Sequence, residues 1–129
     1  MNYLENLNAT KAHYPFDRWR AYYPNESNNF EGMEQYTSEN CDKAQAIFDT
    51  LIDELGKLGE NAPEADKEKL FEIAIIALND LNDETDGALI ETGEREDLCE
   101  LIDEITISAG LNPDDYADGS GIADEWRNW

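Results

Sequence analysis

The chain has 129 residues and a formal net charge of −22, with 31 acidic residues against 9 lysines and arginines. Its 40% hydrophobic and 10% aromatic content supplies material for one core, and its length suits a single domain rather than two. The charge argues against direct contact with nucleic acid, whose phosphates it would repel, and favours a basic protein as partner.

No stretch approaches the ~20 consecutive apolar residues of a membrane span, and Met1-Asn2-Tyr3-Leu4-Glu5 has neither a basic nor an apolar leader character. The expectation is a cytoplasmic protein with no membrane partner and no cofactor. Cys41 and Cys99 both fall at apolar positions of predicted helices, which reads as small buried hydrophobes in a reducing compartment, although a disulfide joining the two helices is also open.

Residues 1–37 are rich in Asn, Tyr and Pro and lack sustained periodicity. They hold Lys11, Arg18 and Arg20 against Glu5, Asp17, Glu26, Glu31 and Glu34, so almost all the negative charge lies beyond them. Tyr14, Phe16, Trp19, Tyr22 and Tyr23 cluster between Pro15 and Pro24 or beside them, with a short helix predicted over 17–22. This segment is expected to be an irregular aromatic arm packed on an acidic helical domain at 38–129. Tyr, Trp and Arg are also favoured hot-spot residues, so a partner-binding patch is the sharper reading of the same residues.

The first long helix is predicted from an N-cap at Thr37 or Ser38 to a stop at Gly56 or Gly59. Cys41, Ala44, Ile47, Phe48, Leu51, Ile52, Leu55 and Leu58 make its apolar stripe, and Asp42, Gln45, Asp49, Asp53 and Glu54 its polar face. In the second helix, Asn61 is the expected cap, Pro63 sits in the first turn and Glu64 can close a capping box. Glu64 to Lys69 is charged and expected to be exposed. Leu70 to Leu81 is the most apolar run of the chain, with Glu72 and Asn79 on one narrow polar strip. A helix apolar nearly all round belongs at the centre of a fold. Ala88-Leu89-Ile90 reads as an anchored loop. The third helix is predicted from a Thr92 cap to about Ala109, with Gly110 at C′ and Leu111 just beyond. A short C-terminal helix then docks Trp126. The predicted fold is all-α: a single-domain bundle of three main helices, the second central, with an aromatic N-terminal arm.

Metal sites fit poorly. An EF-hand-like register over Asp114, Asp118, Gly119 and Glu125 has Tyr116 where a carboxylate is needed, and Asn82-Glu84-Asp86-Gly87 meets Gly93 at the twelfth position. A metal-dependent all-α nucleotide pyrophosphohydrolase would use carboxylate pairs from neighbouring helices, and Glu91/Glu94 and Glu100/Asp103 have the spacing. However, residues 38–129 offer few cations to hold phosphates. His13 is the only histidine, and no Cys-x-x-Cys, glycine-rich phosphate loop or nucleophile elbow is present.

The acidic surface itself is then the leading feature, because solubility needs a net charge of only about 2–8. The expected partner-binding residues are Glu94, Glu96, Asp97, Glu100, Asp103 and Glu104 on the third helix, with Asp42, Asp49 and Asp53 on the first. A small, acidic single domain with no catalytic signature resembles the bacterial immunity proteins that neutralise toxins, and residues 78–82 and 90–102 (Leu78-Asn79-Asp80-Leu81-Asn82; Ile90-Glu91-Thr92-Gly93-Glu94-Arg95-Glu96-Asp97-Leu98-Cys99-Glu100-Leu101-Ile102) are similar to small uncharacterised bacterial families found in such settings. That resemblance implies one-to-one binding of a cognate toxin, often a basic nuclease, and inhibition by occlusion; it assigns no functional residue. A DNA-mimicking anti-defence protein shares the physical profile and is the further alternative.

Overall fold

A computed structural model describes residues 2–129 and is all-α, with no strand among them. Five α-helices follow in order: α1 (Tyr3–Ala9), α2 (Phe16–Arg20), α3 (Ser38–Leu58), α4 (Glu64–Glu84) and α5 (Thr92–Ser108).

Local signals set the long helices. The Thr37 side chain caps α3 by accepting from the Asn40 N–H at 3.0 Å. Gly59, at φ +95°, ends it. Gly56 instead lies inside α3, where a Cβ would meet the Leu4 side chain at 2.8 Å, so the small residue lets α1 approach. The end of α5 is a Schellman motif: Gly110 at φ +87° donates to Ile107 O, and Leu111 donates to Thr106 O, each at 3.0 Å. Two predicted caps move. Pro63, not Asn61, is the N-cap of α4 and makes no side-chain cap bond, and Glu91 rather than Thr92 precedes α5.

The N-terminal segment is more regular than its composition suggests. It carries α1, α2 and 3-10 turns at Thr10–His13 and Glu26–Asn28. Most of its aromatics pack into the core, as expected, although Tyr23 and Phe30 are exposed. Phe16, Trp19 and Tyr36 are fully buried, and edge-on ring contacts run from Tyr14 through Phe16 and Trp19 to Tyr36 and Tyr22. Buried apolar residues from Leu7 to Trp129 form one continuous cluster. The predicted C-terminal helix is instead three 3-10 turns, at Pro113–Asp115, Ala117–Gly119 and Ile122–Glu125. Within this tail Ile122, Ala123 and Trp129 are buried, whereas Trp126 is only half-buried.

The central helix is α3, which packs on α1, α2 and α4; α4 lies at the edge, against α3 and the last 3-10 turn. This corrects the expectation that Leu70–Leu81 is wrapped on all sides. Ile75 is 1% exposed, but Ile73 is 55% and Ile76 43% exposed. The polar residues of α4 go the other way. Asn79 is buried, donates to Trp126 O at 2.9 Å and accepts from the Asn128 N–H at 3.1 Å, so it fastens the C-terminal tail. Asn82 is buried and accepts from the Ile90 N–H at 2.9 Å, which anchors the 88–90 loop as expected. Lys67, expected to be exposed, is buried: its ammonium donates to Glu60 O and Ala109 O, both at 2.7 Å, and lies over the Tyr3 ring. It thereby places a positive charge at the carbonyl end of α5.

Candidate functional site

The nine acids expected to bind a partner divide into two groups. Several are engaged within the fold. Arg20 bridges Asp42 (2.8 Å) and Gln45, joining α2 to α3. Asp49 accepts from the Tyr14 hydroxyl at 2.8 Å, and Asp53 pairs with Lys57 at 3.1 Å. Asp97 accepts from Arg18 and from the Trp19 indole N–H, so it ties α5 to the aromatic segment rather than facing freely outward. Glu94 is buried, 7% exposed, and stands close to Tyr36. The Tyr36 hydroxyl donates to Leu89 O at 2.6 Å, and burial followed by the Glu94 charge pushes its pKa well above the ordinary tyrosine range. Glu94 is therefore not part of an outward face.

Glu96 and Glu100 are exposed and Glu104 half-exposed, spaced four residues apart along one side of α5. Among the described residues no cation lies within 4.0 Å of any of them. Asp103 is half-buried beside them, against Gly121, where a Cβ would come within 2.7 Å of its Oδ1. Burial first, then Asp124, Glu104 and Asp114, push its carboxyl pKa up. The effective acidic ridge is thus Glu96–Glu100–Glu104 with Asp103 at its edge.

Among the described residues no three His, Cys, Asp or Glu side chains come together to hold a metal ion. Neither the Glu91/Glu94 and Glu100/Asp103 pairs nor the acids of the 114–125 turns fall into such a group. There Glu125 instead accepts from the Ala117 N–H at 2.7 Å. His13 is exposed in a 3-10 turn. Cys41 and Cys99 are both free, and burial raises both thiol pKa values.

A second surface was not anticipated. Between α3 and α4 runs an open apolar groove of about 500 Å³, with Ala46, Ala74 and Ala77 as its small residues and Ile47, Leu70 and Ile73 as its large ones. It shares Glu54 and Leu70 with a second depression of about 270 Å³ lined also by Lys57, Leu58 and Asp66. Leu58, placed by periodicity in the core stripe of α3, is exposed here. The signal for this groove is present in α4: Asp66, Ile73 and Asp80 are spaced by seven residues, so they lie along one line of the helix, and all three are exposed.

No helix among the described residues is long and apolar enough to cross a membrane. No protein-family model, curated protein or solved structure matches the chain.

Proposed function

We propose that the protein is a non-enzymatic inhibitor of the immunity type, which binds and occludes a basic protein such as a bacterial toxin nuclease through its acidic surface. The observation that carries this reading is the ridge Glu96–Glu100–Glu104. Like charges four residues apart destabilise a helix by ~0.2–0.5 kcal/mol per pair. Neighbouring acids of the same helix, Glu94 and Asp97, are buried or bonded, whereas among the described residues no cation lies within 4.0 Å of the ridge. Complementary charge on a partner would relieve that repulsion, speed encounter and set orientation.

The test uses the product of a neighbouring toxin-like gene, purified and assayed as a nuclease. Addition of this protein should abolish its activity at one-to-one stoichiometry, with affinity falling steeply as salt rises. The Glu96→Lys/Glu100→Lys double variant should keep its circular dichroism and bind at least tenfold more weakly. Unchanged binding by that variant would refute the α5 ridge as the contact surface.

A further inference from the structure

The groove between α3 and α4 has three properties that together identify an occupant. It is apolar where the surface is otherwise charged: Ile73 in the groove and Leu58 in the adjoining depression stand in water along a chain that is 31% charged. Contiguous exposed apolar surface of this kind marks an interaction site more often than a scattered leucine does. It runs between two antiparallel helices, joined at one end by Lys43 of α3, which pairs with Glu84 of α4 at 3.6 Å. Acids flank it along α4: Asp66 lines the adjoining depression and the exposed Asp80 lies about one turn beyond Ala77. Asp66 and Asp80 lie one heptad before and after Ile73, so they stand ~21 Å apart along α4 at ~1.5 Å per residue.

The lysines near it, including Lys57 in the same depression as Asp66, pair with other acids. Lys43, Lys57 and Lys69 are each within 4.0 Å of other acids (Glu39 and Glu84, Asp53 and Glu54, and Glu72), and among the described residues no cation lies that close to Asp66 or Asp80. A second copy of this chain would bring another −22 charges to the same acids, so self-association is opposed by repulsion.

We propose that this groove docks an amphipathic helix of a partner protein, one whose branched apolar side chains fill the space between α3 and α4 and whose lysine or arginine residues reach the flanking Asp66 and Asp80. The mode is helix-in-groove recognition with electrostatic bracketing. It rests on the reading that the partner is a basic protein and assigns the apolar anchor that an acidic ridge alone lacks.

The test compares two synthetic peptides of roughly 18 residues, about five helical turns, with the same number of lysines. One carries leucines in an amphipathic stripe; the other has glutamine in place of every leucine. Each is titrated into the full chain labelled at its Ile and Ala methyl groups. The leucine peptide should shift the Ile47, Ile73 and Ala77 methyls, and Ile73→Asp should weaken it at least tenfold. Ile73→Ser, which adds no charge, should weaken it in the same direction. The glutamine peptide should bind wild type and Ile73→Ser alike. Equal binding of the leucine peptide by wild type and both Ile73 variants, or shifts confined to α5, would overturn the groove proposal while leaving the acidic-capture reading intact. Failure of both peptides to bind would count against both. Light scattering that shows a wild-type dimer dissolved by Ile73→Asp would overturn the proposal by making the groove a self-interface.

Discussion

Along the flank of α3 that meets the N-terminal segment, Phe48 and Cys41 have no exposed surface, and the Tyr14 and Phe16 rings pack on Phe48. The acids on that flank are bonded too, Asp42 to Arg20 and Asp49 to Tyr14. Along the flank that meets α4, Ile47 is only half-buried and its neighbour Ile73 is mostly in water. One helix thus has a sealed side and an open side. The chain places its aromatic cover and Arg20 on the first, whereas α4, packed along the second, leaves an open groove beside Ile47 and Ile73. A side left open beside one so completely closed is what a binding surface requires and what stability alone would remove.

The contrast can be broken most forcefully from the sealed side. Trp19→Ala would remove a fully buried indole and the donor to Asp97, and should cost about 3–5 kcal/mol in urea unfolding. Within α4 the same comparison can be made two residues apart. Ile75→Ala should cost about 2–5 kcal/mol, whereas Ile73→Ser should change stability by no more than ~0.5 kcal/mol. Equal costs at 73 and 75 would mean that α4 is enclosed after all.

Lys67→Met keeps the aliphatic stem but leaves the Glu60 and Ala109 carbonyls without their donor, at an expected cost of about 1–3 kcal/mol. The smallest effect concerns Asp103. Because burial and the surrounding acids raise its folded pKa, the folded state holds that proton at a pH where the unfolded chain has lost it. Stability from this group therefore falls as pH rises through that window, and the penalty is complete above the folded pKa. Asp103→Asn should raise the melting temperature slightly at pH 7, with the advantage fading as pH drops to the unfolded carboxylate range near ~3.9. A constant advantage at all pH values would mean that charge is not its cause.

What was legible in the sequence follows the range of each interaction. Thr37, Gly110 and Leu111 were read correctly because caps are satisfied within a few residues. The apolar stripe of α3 is largely right because periodicity records one buried face. Leu70–Leu81 was misread because it is apolar on several faces. Which of them is covered depends on the tail held by Asn79, whose partners at Trp126 and Asn128 lie almost fifty positions away. Lys67 was misplaced for the same reason: its acceptor on α5 is 42 residues distant. On the acidic side, Glu94 and Asp97 looked outward by composition, and only the folded aromatic segment shows that one is buried beside Tyr36 and the other bonded to Trp19. The groove left a trace in the Asp66–Ile73–Asp80 spacing, but a heptad line on one helix does not reveal whether a neighbour covers it.

The central claim, that α3 is closed on one side and open on the other, is tested most directly by solvent relaxation of isoleucine methyl groups with a soluble paramagnetic agent. Ile73 and Ile76 should broaden strongly at concentrations that leave Ile75, Ile102 and Ile105 unaffected. Protection of Ile73 equal to that of Ile75 in the monomeric protein would contradict the open flank, and with it the groove.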